Sequence, residues 1–191
     1  MTDLRPIVGE ERKALVESIL KRIAEDEQVV GAVDRTAVWE NGWREALARF
    51  RAKPVLESLV PAFIHLERPV RYMQQFCEPS EQKNELTFVY TMQEIIGEYL
   101  RPCPVITEFG CGTGYNLFSL AERFPEKHFY GFDFVDSAVE LVTEAAWALQ
   151  RQVEAFRFDM REPNYNFKLG GRVGVFTFGA VEQLAGDFGN F

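Results

Sequence analysis

The stretch that decides the fold is ITEFGCGTGYNLFSL, residues 106–120. With Val105 it opens as a short apolar run, VITEF, that ends in Glu108 and Phe109. Three glycines then fall at alternate positions, Gly110, Gly112 and Gly114. From Asn116 to Phe124 the apolar residues recur at helical spacing. Strand, glycine turn and helix in direct succession are the first half of a βαβ unit. Glycines in that turn, with Cys111 and Thr113 between them, let backbone atoms approach a bound molecule with no Cβ in the way. The first amides of the following helix face the same point.

Working outward, the alternation continues. KHFYGFDF (127–134) reads as a strand, Ser137 to Gln150 as a helix, and VEAFRFDM (153–160) as a strand. A loop with Pro163 and Gly170-Gly171 leads to RVGVFTFG (172–179), a fourth strand, with a helix start at Val181. Alternating strands and helices predict an α/β fold, a doubly wound, mainly parallel Rossmann-like sheet of about four strands. Upstream, residues 10–28 place Leu15, Ile19, Leu20 and Ile23 at helical spacing, and 36–50 bring Trp39, Trp43, Leu47 and Phe50 onto one face. Pro54, Pro61, Pro69 and Pro79 predict short, angled helices between them. Residues 85–100 read as a helix with Phe88, Met92, Ile95, Ile96 and Tyr99 inward.

The composition narrows the function classes. The chain has 191 residues, 47% of them hydrophobic, enough for one domain with an added helical segment. A formal net charge of −8 and no basic patch argue against a nucleic-acid partner. The N-terminus lacks the apolar core of a signal peptide, and no window has the length of a membrane span, so a cytoplasmic protein with no membrane partner is expected. Cys77, Cys103 and Cys111 are scattered and form no zinc spacing with His65 or His128; no metal is expected.

Two further acids give the glycine turn a ligand. Asp133 ends the second strand, 19 residues past Gly114, where a carboxylate can accept from ribose hydroxyls. Asp159 ends the third, where it can accept from an adenine amine with Met160 over the ring. With Glu108, three successive strands end in an acid. The spacing is ExGxGxG, with Tyr115 after Gly114, and so is not the GxGxxG of dinucleotide binders.

On these residues the chain resembles the class I S-adenosylmethionine (SAM)-dependent methyltransferases. EFGCGTG is similar to the family's first motif, HFYGFDFVDSAVELV to its second, FDMREP to its third, and VGVFTFGAVEQL to the strand and loop that follow. The likeness covers roughly residues 86–191. It implies SAM as cofactor, S-adenosylhomocysteine (SAH) as product, and a division into an N-terminal helical, substrate-side cap (1–84) and a partial SAM-binding domain (85–191). Glu108, Gly110, Cys111, Gly112 and Gly114 would hold the methionine end, Asp133 the ribose, Phe134, Asp159 and Met160 the adenine. Phe178 and Gly179 would face the reactive methyl.

Methyl transfer mainly requires alignment and exclusion of water. A hydroxyl acceptor benefits from a base, and Glu182 and Gln183 are the polar candidates after the fourth strand. No Asn/Asp-Pro-Pro-aromatic motif stands there, which favours a hydroxyl or other small-molecule acceptor over an amino group of adenine or glutamine. Tyr72, Phe76 and Tyr90 are candidates for the substrate side. Ser137 reads as the N-cap of the next helix, with Glu140 completing a capping box. The family sheet has seven strands and this sequence stops after the fourth, so a truncated chain is expected, with Val173, Val175, Phe176 and Phe178 on an edge that is compatible with a homodimer. Three alternatives stay open: a non-catalytic methyltransferase-like module that binds SAM or only a partner, an NAD(P)-dependent oxidoreductase on a related sheet, and a structural helical-plus-α/β domain with an empty loop.

Overall fold

The computed structural model describes residues 4–25, 35–184, 189 and 191. In chain order the elements are α1 (Gly9–Glu25), α2 (Thr36–Ala52), a single 3-10 turn at Leu56–Leu59, β1 (Val70–Tyr72), β2 (Gln75–Cys77) and α3 (Glu85–Leu100). Then follow β3 (Val105–Phe109), α4 (Tyr115–Arg123), β4 (His128–Asp133), α5 (Asp136–Ala148), β5 (Val153–Arg157), β6 (Val173–Phe176) and a 3-10 turn at Val181–Leu184. The chain forms two compact units, one from residues 4–25 and 62–94, the other from 35–61 and 95–191.

In the first unit α1 buries no side chain fully; Leu15 and Ile19 are half-buried, while Leu20 and Ile23 are exposed. The helical reading of 26–28 lies outside the described residues. The proline-punctuated stretch departs from the expectation of helices alone. Only Leu56–Leu59 makes a helical turn, whereas β1 and β2 form an antiparallel hairpin that pairs Val70 with Cys77 and Tyr72 with Gln75. Met73 and Gln74 close it with φ of +46° and +66°. This is the left-handed pair that a two-residue hairpin turn needs, here without the usual glycine or asparagine. Residues 5–7 add to this hairpin through Ile7 N–H to Phe76 O (2.8 Å) and Glu78 N–H to Arg5 O (2.9 Å). Arg5 also pairs with Glu11 and Glu78.

The second unit holds the sheet. All four strands are parallel, in the order β5-β4-β3-β6: third, second, first, fourth along the chain, the Rossmann-like order the sequence predicts. The central strand β3 is buried at every position, as a strand covered on both faces must be. Its neighbours in register are Phe109 with Phe132, and Phe132 with Phe156, so three aromatic side chains cross one face of the sheet. The 158–172 connection runs over that face without a helix. It brings Phe158, Met160, Phe167 and Leu169 onto Phe109 and Phe132. On the other face Gly131 and Gly174 make room for α4 and for the end of α3. A Cβ at Gly131 would lie 2.8 Å from Cys111 Sγ and 3.0 Å from Leu117, and one at Gly174 would lie 3.0 Å from Leu100.

Several local expectations are corrected. On α3 the apolar residues Phe88, Ile95 and Tyr99 are 60%, 44% and 81% exposed. The inner stripe is instead Val89, Gln93, Gly97 and Leu100. The cause is Gly97: a Cβ there would sit 3.1 Å from Phe124 and 3.3 Å from Leu120, so α3 and α4 approach through the missing side chain. Lys127 closes the C-terminal end of α3, donating to Arg101 O and Cys103 O at 2.7 Å each. Ser137 is not a cap, because α5 begins at Asp136 and Val135 holds the cap position. The Ser137 hydroxyl turns to α2, 2.9 Å from the Glu40 carbonyl and 3.0 Å from its carboxylate, which also accepts the Ser137 N–H at 3.2 Å. The strands are shorter than read, so Asp159, Met160, Phe178 and Gly179 lie in the loops beyond β5 and β6.

Candidate functional site

The carboxyl ends of β3 and β4 meet at the glycine loop. Gly110, Gly112 and Gly114 all have left-handed backbones, with φ of +73°, +53° and +73°. The fold itself demands glycine at each. A Cβ at Gly110 would lie 2.3 Å from Ala180 Cβ, one at Gly112 2.8 Å from Trp43 Cζ2, and one at Gly114 2.9 Å from Val142 Cγ2. Between them Thr113 is buried and donates its hydroxyl to Leu59 O at 2.6 Å, pinning the loop to the 3-10 turn. Cys111 is buried beneath, its thiol pushed well up by burial first and by the nearby Asp133 and Glu108 charges.

The end of β4 is stitched to this loop. Gly110 and Cys111 donate to Phe132 O at 2.7 and 3.1 Å, and Gly112 donates to Asp133 Oδ2 at 2.8 Å. Asp133 Oδ1 accepts from Val135 N–H at 3.3 Å. The Asp133 side chain belongs to a residue only 4% exposed. Burial raises its carboxyl to about 6, while the amides of Gly112, Val135 and Phe134 pull the other way.

Glu108 is more extreme. It is 1% exposed, and Oε1 accepts from Asn116 Nδ2 at 2.8 Å. Oε2 is buried with no hydrogen-bond partner among the described residues. Burial pushes this carboxyl up to about 8, the Asn116 bond opposes that, and the Asp133 charge adds to it.

The residues after β5 form a separate cluster. Both Asp159 oxygens are held by Arg161, with Nε at 3.0 Å and Nη2 at 2.7 Å, and Oδ1 also takes the Arg161 N–H at 2.9 Å. That pairing holds the Asp159 carboxyl below its ordinary value. The Arg161 guanidinium lies over the Phe134 ring, 5.1 Å from its centre, so Phe134 and Asp159 are brought together through Arg161. Met160 instead packs with Phe109, Phe132 and Phe158, and its Cε approaches Gly110. Phe178 is half-buried; Gly179 has φ +72° and precedes Ala180, the residue against Gly110. Glu182 and Gln183 are exposed on the turn that follows. Tyr72, Phe76 and Tyr90 belong to the other compact unit, two on the hairpin and one on α3.

Sequence reading missed what α2 brings. Trp43 covers Gly112, Trp39 stacks on Trp43 with ring centres 5.5 Å apart, and Glu40 holds the start of α5. Arg51 extends the same contact, pairing with Glu140 and Glu144. The signal was present in the Trp39, Trp43 spacing, but a helical stripe of that kind reads equally well as plain core. Among the described residues no group of three or more His, Cys, Asp or Glu could hold a metal ion, and no helix is long and apolar enough to cross a membrane.

Residues 106–185 match a family model described as a methyltransferase domain. Over 88 residues, 46% of the chain, it is 30% identical to a tRNA (guanine-N(7)-)-methyltransferase of Latilactobacillus sakei subsp. sakei (strain 23K). Over 80 residues, 42% of the chain, it is 36% identical to O-methyltransferase 3 of Dictyostelium discoideum. The chain spans 36% of the first relative's length and 18% of the second's. Among solved structures, geranyl diphosphate methyltransferase in complex with GPP and sinefungin is 15% identical, with a TM-score of 0.45 over 69% of this chain and 50% of that one. The match thus places the likeness to a methyltransferase domain on residues 106–185, which hold β3 to β6 and the glycine loop.

Proposed function

We propose, with the methyltransferase domain at 106–185 as premise, that this chain binds SAM and takes part in methyl transfer to a small-molecule hydroxyl. One observation carries the reading: Glu108, a fully buried acid beside the glycine loop, keeps an oxygen without a partner among the described residues. Folding alone gives no reason to bury such an atom. A cationic, hydrogen-bond-donating guest supplies one, and the ammonium at the methionine end of SAM is of that kind. Its arrival favours the ionised form of Glu108 against the burial that now disfavours it.

The other roles follow from position. Gly110, Cys111, Gly112 and Gly114 present backbone to the methionine end. Asp133 has roughly four acceptor sites as a carboxylate; three amides use some of them, and what remains serves a ribose hydroxyl. Phe134 offers its ring to adenine and Asp159 its carboxylate to the amine, both after Arg161 has moved aside. Met160 supports this region from the aromatic cluster. When bound, SAM supplies a methyl group on a sulfonium leaving group. The protein's part is to hold the acceptor in line and keep water out. Phe178 and Gly179 border that path. Of the two polar candidates, Glu182 can accept the acceptor's proton; the Gln183 amide is not basic and can only orient it. The O-methyltransferase relative and the FGAVEQ sequence after β6, which lacks the amino-methylating motif, support a hydroxyl acceptor.

The test is calorimetric titration with SAH of the wild type, Asp133→Ala and Asp133→Asn, each checked for folding by circular dichroism. Saturable binding that both substitutions weaken supports the reading. Wild-type protein that binds NAD(H) more tightly than SAH sinks it in favour of the oxidoreductase. SAH binding with no transfer of labelled methyl to hydroxyl or amine acceptors leaves a non-catalytic SAM-binding module.

A further inference from the structure

Arg35 is held from two sides by residues that lead to the glycine loop. On one, its guanidinium carbon lies 5.3 Å from the centre of the Trp39 ring, and Trp39 stacks on Trp43, the residue against Gly112. On the other, Arg35 Nη1 lies 3.4 Å from Gln183 Oε1, a long and exposed hydrogen bond. Gln183 sits on the turn after Ala180, the residue against Gly110, and donates its N–H to Ala180 O at 3.0 Å. The α2 stack and the turn after β6, each of which reaches a glycine of the loop through a further residue, therefore converge on one cation. Yet Arg35 Nε is buried with no hydrogen-bond partner among the described residues.

A planar guanidinium presents paired N–H donors that match the two oxygens of a carboxylate or phosphate. A neutral amide oxygen at 3.4 Å is a poor substitute and is readily displaced. In a chain of net charge −8, an anionic group also needs a local cation to enter. We infer that Arg35, stacked on Trp39 and touching Gln183, receives an oxyanion at the mouth of this site, through Nε and a terminal nitrogen. The inference rests on the methyltransferase reading for what the oxyanion belongs to: an acid group of the acceptor, or the carboxylate at the methionine end of the cofactor.

The experiment titrates wild type, Arg35→Gln and Arg35→Lys with SAH and with 5′-methylthioadenosine, which lacks the amino-acid end. The same proteins are titrated with benzoate, phenyl phosphate and neutral benzamide, with and without SAH. Arg35→Gln is expected to weaken at least one oxyanion ligand by about tenfold or more, and Arg35→Lys to restore part of it by charge without the fork. Weakened SAH with unchanged methylthioadenosine puts the oxyanion on the cofactor. Weakened benzoate or phenyl phosphate with unchanged benzamide puts it on the acceptor. Ligands bound equally by wild type and Arg35→Gln, or oxyanions that wild type binds no better than benzamide, overturn the inference. A wild type that does not bind SAH defeats the methyltransferase reading separately, because the benzoate and phenyl phosphate titrations of the unliganded protein still decide Arg35.

Discussion

Replacing Glu108 by glutamine separates the cost of this buried acid from its use. Burial raises the Glu108 carboxyl from an ordinary 4.5 to about 8. The folded state thus holds this proton more tightly than the unfolded chain. The stability it contributes is complete below pH 4.5, falls as the pH rises, and is gone above about 8. At ~1.4 kcal/mol for each pH unit, the window between those two values amounts to about 5 kcal/mol, of which about 3 kcal/mol is already lost at pH 7. At 1% exposure there is little solvent screening to discount. Glutamine has nearly the same shape, keeps an acceptor for Asn116 Nδ2, and does not ionise. It adds one unpartnered N–H where Oε2 stands, at a cost of ~1 kcal/mol. Glu108→Gln should therefore lie within ~1 kcal/mol of wild type at pH 5 and exceed it by about 3–4 kcal/mol at pH 8. Urea unfolding followed by tryptophan fluorescence at closely spaced pH values measures this. A difference between the two proteins that stays constant from pH 5 to pH 9 would refute the reasoning, since it would mean that Glu108 does not titrate inside the folded state.

The same proton should appear in binding. At pH 7 SAH should displace about one proton as Glu108 ionises beside the ligand's ammonium; calorimetry in two buffers of different ionisation enthalpy reads it, and a binding heat independent of buffer contradicts it. Gly110→Ala places a Cβ 2.3 Å from Ala180 Cβ on a backbone with φ +73°. It should cost about 2–4 kcal/mol in urea unfolding, and adding Ala180→Gly should recover the packing part and leave the backbone strain. Thr113→Val keeps the shape but removes the 2.6 Å hydrogen bond to Leu59 O; a loss of about 1–3 kcal/mol is expected for the orphaned carbonyl, and an unchanged midpoint would mean that this bond does not anchor the loop.

The sheet was legible because its signals are local and repeated. VITEF gave β3 to the residue, and the alternation through 105–179 gave the parallel order, since short crossovers of one hand leave few other arrangements. Strand ends were less legible. FRFDM continues apolar past β5 because Phe158 and Met160 serve the layer over the sheet rather than the ladder. The hairpin at 70–77 left no trace because Met73 and Gln74 are ordinary residues in a left-handed turn, held there by pairing on both sides. On α3 the large apolar residues misled, because Gly97 chose the face by being absent. Trp43 and Arg35 escaped the sequence reading for a shared reason: each meets the site through tertiary contact, at a sequence distance no motif spans.

The glycine loop itself shows how a correct reading can rest on an incomplete cause. GxGxG suggests room for a ligand, yet Ala180, Trp43 and Val142 already fill the space a Cβ would take at each glycine. The fold would need these glycines even if nothing bound. The motif therefore does not distinguish a ligand loop from a tight turn by its glycines. Glu108 is the residue on which the proposal separates them. A strand end built only for stability would carry an apolar residue at that buried position, or give its acid a second partner. Among the described residues this chain does neither, and accepts a carboxyl raised to about 8 with one oxygen orphaned. A local violation that burial makes costly, set where two parallel strands end at a glycine loop, is the kind of departure from stability that the proposed binding role accounts for.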